Sequence, residues 1–135
     1  MFTAFASEFG LPDETALKIA APFGGGMART GGTCGALTGG LMVIGLKAGY
    51  TTPDGKDETY ALARDFLRRF EQRHGALLCR ELIGCDLSSP AGLLEARAKG
   101  VFNSVCPNLV RDSVEIVVEL LNYPAFSWRE GIPAL

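Results

Sequence analysis

Apolar residues recur at the helical period along almost this whole chain, and glycine or proline closes nearly every such stretch. Phe2, Phe5, Ala6 and Phe9 are spaced i, i+3, i+4, i+7, and Gly10 follows them. That spacing puts all four on one helix face, and the glycine ends it. A second short helix starts near Pro12, Asp13 and Glu14, where acids suit the positive end of the helix dipole, and ends before Pro22. No convincing strand, repeat or linker interrupts this pattern. The expectation is an all-α fold: one compact helical domain over residues 1–135, a bundle of about five to six helices.

The middle of the chain continues the pattern. Phe23-Gly24-Gly25-Gly26-Met27 is a loop whose glycines leave the backbone free. Thr33 is placed to cap a third helix of about four turns. Cys34, Leu37, Leu41, Ile44 and Ala48 would share one of its faces, while Gly35 and Gly39 make a second, smooth face for another backbone. Gly49 closes it, and Thr52-Pro53-Asp54-Gly55 is a turn. From about Lys56 to His74 the pattern is amphipathic, with Tyr60, Ala63, Leu67 and Phe70 inward and Arg64, Asp65, Arg68, Glu71 and Arg73 outward. Gly75 ends that helix. Residues 79–85 make a short helical turn. Ser89-Pro90 starts another helix that Gly100 ends. Cys106-Pro107 starts the last long one, burying Val110, Val114, Val117 and Leu121. The tail, with Pro124, Trp128 and Pro133, folds back as irregular structure.

Composition narrows the function. A hydrophobic content of 47% supplies a real core, so neither disulfides nor a metal are needed just to hold the fold. A net charge of −2, spread along the chain, offers no nucleic-acid footprint and no polybasic membrane patch. The longest uncharged run, between Arg29 and Lys47, is a little short and glycine-rich for a membrane span. The first residues lack the basic start and cleavage site of a signal peptide, so a cytoplasmic setting is expected. There, cysteines stay reduced unless their work is redox or metal chemistry.

That leaves the four cysteines, Cys34, Cys79, Cys85 and Cys106, as the chemistry on offer. Cys34 and Cys106 fall at helix starts, where unpaired backbone N–H groups favour a thiolate. Cys79 and Cys85 are separated by Arg80-Glu81-Leu82-Ile83-Gly84, which is neither a Cys-x-x-Cys redox pair nor ferredoxin spacing. The single histidine, His74, suits a helix C-terminus better than a ligand set. Gly24-Gly25-Gly26 follows no strand and precedes no Lys-Ser/Thr, so it is no phosphate cradle.

At Cys34-Gly35-Ala36-x-x-Gly39 the chain resembles a family of small redox-active proteins named for their cysteine pattern, the C_GCAxxG_C_C family. The likeness includes Phe23-Gly24-Gly25-Gly26-Met27 and Leu41-Met42-Val43-Ile44-Gly45-Leu46, and resumes at Cys79-Arg80-Glu81-Leu82-Ile83-Gly84-Cys85-Asp86-Leu87 and Val105-Cys106-Pro107. The resemblance implies that Cys34, Cys79 and Cys106 match the family cysteines, and Cys85 a commonly cysteine position. It also implies a further cysteine before the segment matching Phe2 to Gly10, where this sequence has none. The first helix would then point toward the cysteine site.

Three readings stay open from the residues. In the first, Cys34, Cys79 and Cys106 converge and cycle between thiols and a disulfide, with Cys85 auxiliary and the redox partner unnamed. In the second, Cys34, Cys79, Cys85 and Cys106 hold zinc or an iron–sulfur cluster. In the third, the cysteines are inert small hydrophobes of a structural or interaction protein. A homo-oligomer is compatible with each.

Overall fold

The structure, a computed structural model, describes residues 1–123. The tail around Pro124, Trp128 and Pro133 lies outside the described residues. The fold is all-α. Helix α1 (Phe2–Ala6) tightens into a 3₁₀ turn at Ser7–Phe9 and stops at Gly10, whose φ of 73° a side chain would resist. Then come α2 (Asp13–Ala20), α3 (Gly35–Ala48), α4 (Lys56–His74), α5 (Cys79–Ile83), α6 (Pro90–Ala98), α7 (Val101–Ser104) and α8 (Cys106–Leu120). The very short α5 and α7 come beside the longer helices that the apolar spacing marks.

Local chemistry explains most boundaries. Ser89 caps α6 by accepting the Gly92 N–H at 3.1 Å, and Pro90 fills its first position. Gly75 ends α4 in the left-handed conformation. One boundary differs from expectation. Thr33 caps nothing; it forms an isolated antiparallel bridge with Leu78, and Cys34 takes the cap position of α3. The bridge holds Thr33 one residue short of the cap position, which Cys34 fills.

Helix α3 is the axle of the fold, packed on α1, α4 and α8. Ala36, Leu37, Thr38, Gly39, Gly40, Val43 and Ile44 are all buried, so its first turns are covered all round rather than along one stripe. Leu41 and Ala48 are only half-buried. Neighbours approach where α3 has no side chains. A Cβ on Gly39 would stand 2.9 Å from Met1 Cγ, and one on Gly40 would stand 2.4 Å from the Phe66 ring. Gly35 meets the Phe23 carbonyl, at the end of the 3₁₀ turn Ala21–Phe23, 3.1 Å from its would-be Cβ.

Helix α4 inserts Phe66 and Phe70, both fully buried, whereas Tyr60 is 45% exposed. Phe66 and Phe70 are one turn apart and fix the buried face. Tyr60 lies off it, edge-on to Tyr50. Helix α8 buries Leu109, Ser113, Val114, Ile116 and Val117, leaving Val110 and Leu121 half-covered. Ser113 Oγ, fully buried, donates to the Ala36 carbonyl at 2.7 Å and pins α8 to the first turn of α3. Arg73–Glu115 at 3.1 Å and Arg69–Glu119 at 3.6 Å bridge α4 and α8 at the surface. Such exposed pairs contribute at most about 1 kcal/mol each.

Beside this main core a satellite cluster gathers Cys79, Ile83, Cys85, Leu87, Ala96 and Val101, with Cys106 packed on it. Val105 touches both. The cysteines lie along this seam.

A cysteine seam as the candidate functional site

The loop before Cys34 has an unusual backbone. Gly25, Gly26, Met27, Ala28 and Arg29 all have positive φ, at 65°, 69°, 63°, 52° and 66°. They form a left-handed turn. Its hydrogen bonds span long intervals: Ala28 N–H to the Pro22 carbonyl at 2.7 Å, and Gly32 N–H to the Gly26 carbonyl at 2.9 Å. Thr30 Oγ1 also donates to the Gly26 carbonyl, at 2.7 Å. Each non-glycine residue in this conformation costs about 1–2 kcal/mol. Packing must over-determine the turn for it to persist. Gly26 supplies that packing: a Cβ there would sit 2.6 Å from both Cys79 Cβ and the Gly32 carbonyl oxygen.

The chain then enters the Thr33–Leu78 bridge. Cys34 N–H donates to the Leu77 carbonyl at 3.0 Å, and Cys79 N–H to the Gly32 carbonyl at 2.7 Å. In antiparallel register residue 34 opposes 77 and residue 32 opposes 79. Opposed residues share a face, so Cys34 and Cys79 leave the bridge on the same side. Both residues are free thiols.

Cys106 completes a trio. Burial raises the Cys79 thiol to about 11, and the charges of Cys34 and Cys106 push it the same way. Burial also raises Cys106, again with a contribution from Cys34. Cys79 thus lies within electrostatic reach of two cysteines from distant stretches. Burial is likewise the main cause of the upward shift at Cys34, against which the Ala36 and Leu37 amides pull down. The expectation that helix starts would favour thiolates is corrected by this balance. Desolvation can move a pKa by several units, whereas a helix end contributes about 0.3–1 kcal/mol. The Cys34 sulfur makes no cap hydrogen bond of ordinary geometry.

The four cysteines are not equivalent. Cys34, Cys79 and Cys85 are buried, and Cys106 is half-exposed. Cys85 shares the satellite cluster with Cys79. Among the described residues no group of three or more His, Cys, Asp or Glu is arranged to hold a metal ion. His74 stands apart, at the end of α4, with Nε2 2.9 Å from Asp112 Oδ2 but not aligned as a hydrogen bond. Met1 and Phe2 pack on Gly39, one turn into the helix that Cys34 begins. The seam also uses residues the sequence alone does not single out. Gly26 seats the turn on Cys79, Gly31 accepts the Arg80 N–H at 3.3 Å, and Ser113 locks α8 to α3.

A cysteine-bearing all-α protein is thus what fold and seam define. The chain belongs to the family described as "Putative redox-active protein (C_GCAxxG_C_C)", which matches residues 1–120. No curated protein and no solved structure matches it significantly. No helix among the described residues is long and apolar enough to cross a membrane.

Proposed function

We propose that this chain is a cytoplasmic, single-domain thiol redox protein in which Cys34, Cys79 and Cys106 form the working group and Cys85 is auxiliary. The observation that carries this reading is the gathering of three cysteines from distant stretches: backbone hydrogen bonds tie the Cys34 strand to the Cys79 strand, and Cys106 packs on the cluster that holds Cys79. The absence of a metal-holding donor group among the described residues favours it over the zinc or iron–sulfur alternative.

Cys106 is the least buried of the trio and is the entry point. Its thiolate attacks one sulfur of a partner disulfide; that S–S bond breaks and a thiolate leaves, forming a mixed disulfide. The thiolate of Cys34 or Cys79 then attacks the Cys106 sulfur, forming the internal disulfide and releasing the second partner thiol. The protein loses two electrons and two protons, and the partner disulfide gains both. Raised thiol pKa values make the first attack slow at neutral pH, which suits a specific partner rather than general reduction.

The test is oxidation with excess oxidised glutathione, then alkylation in denaturant and peptide mapping. An internal disulfide drawn from Cys34, Cys79 and Cys106, with Cys85 still alkylated, is expected. Four alkylated thiols after prolonged oxidation would favour inert cysteines. Stoichiometric zinc or iron in the isolated protein would return the metal reading.

A further inference from the structure

We infer that the open groove between the left-handed turn and α6 is a binding site for a small organic anion, one carboxylate or phosphate on an apolar body. The groove has a volume of about 640 Å³. Arg29 and Arg97 line it, with no acidic residue in its wall. Neither arginine enters an ion pair among the described residues, whereas Arg68, Arg69 and Arg73 of α4 all do. Leu87 and Leu93 give the wall an apolar side, and Phe102, 38% exposed, adds an aromatic edge. Two uncommitted guanidinium groups over an apolar wall match the general make-up of small-molecule sites, where a few polar groups orient a mostly apolar ligand. Guanidinium forks also suit planar carboxylates and phosphates.

The backbone supports the same assignment. Arg29 is held at φ 66° as the last residue of the strained turn, so its position follows from the turn rather than from a flexible loop. The turn is anchored below by Gly26 against Cys79. The groove continues past Arg29 into a second depression of about 470 Å³ edged by Ser88 and Ser89, leaving room for a ligand longer than a bare ion. No cysteine lines either space, so this inference stands independently of the thiol chemistry.

The probe is phenyl phosphate, titrated into the full chain and followed by backbone amide NMR. Saturable shifts at Gly25, Ala28, Leu93 and Phe102 are expected. Arg97→Gln and Arg29→Gln should each weaken binding about ten-fold or more, the worth of a charged hydrogen bond. If Arg29→Gln disturbs the turn, Arg97→Gln on α6 decides alone. Absent saturation, shifts confined to other residues, or unchanged affinity in Arg97→Gln would overturn the site. Inorganic phosphate binding as tightly as phenyl phosphate would overturn the apolar half of it.

Discussion

Two regions of this molecule are built on opposite principles. Around α3 the chain removes side chains so that helices can touch: Gly39 admits α1 and Gly40 admits Phe66 of α4. Around the cysteines it bends the backbone instead, driving Met27, Ala28 and Arg29 into a left-handed turn seated on Cys79. The first region gains stability from close packing of ordinary helices. The second spends some of it to hold a particular geometry. Strained backbone that packing over-determines is commonly found where a site must be positioned, and here it is seated on the buried Cys79.

The contrast breaks most visibly at Gly26. Gly26→Ala puts a Cβ 2.6 Å from Cys79 Cβ and from the Gly32 carbonyl, at a φ of 69°. The backbone cannot yield there, so a loss of at least about 3 kcal/mol in urea unfolding is expected, with altered alkylation of Cys79. Near-native stability would mean that the turn does not clamp the cysteine.

Gly40→Ala tests the other region. The Phe66 ring, 2.4 Å from the new Cβ, must shift inside the core, which costs about 1–3 kcal/mol. Gly39→Ala should cost less, because Met1, a flexible side chain, can move aside. A reversed order in thermal melts would contradict the packing described.

The thiol trio adds a smaller effect with a definite pH window. Cys79 has an unfolded-state value of 9.0 and is raised to about 11 in the fold. Above pH 9 the unfolded chain releases a proton that the native state keeps, so stability falls as pH rises toward 11. Urea midpoints between pH 8 and 11 should decline in the native protein and decline less steeply in Cys79→Ala. Equal slopes would remove the buried-thiol account.

The smallest effect is the most discriminating. Ala28→Gly relieves left-handed strain and should stabilise by about 0.5–1 kcal/mol. Ala63→Gly, in the right-handed helix α4, should destabilise by about 1 kcal/mol. If both substitutions destabilise equally, the turn is not strained.

Much of the main core could be read from residue spacing. The Phe2/Phe5 face, the helix from Lys56 to His74 ended by Gly75, Ser89-Pro90 starting α6 and Cys106-Pro107 starting α8 all follow from local rules. The inward face of α4 was less legible. Tyr60 and Phe66 both fit a helical stripe, and only the space opened by Gly40 decides that Phe66 fills it. The all-round burial of α3 was also hidden, since a helix rich in glycine has little amphipathic signature to read.

By itself, then, the sequence determined the longer helices, most of their ends, and the presence of four cysteines with Cys34 and Cys106 at helix starts. These depend on neighbours within a few residues, where period, caps and backbone freedom act. Tertiary structure alone decided the left-handed turn, the Thr33–Leu78 bridge and the company each cysteine keeps. It also set the sign of the thiol shifts, because desolvation depends on what surrounds a sulfur, and those surroundings are assembled from stretches of chain far apart in sequence.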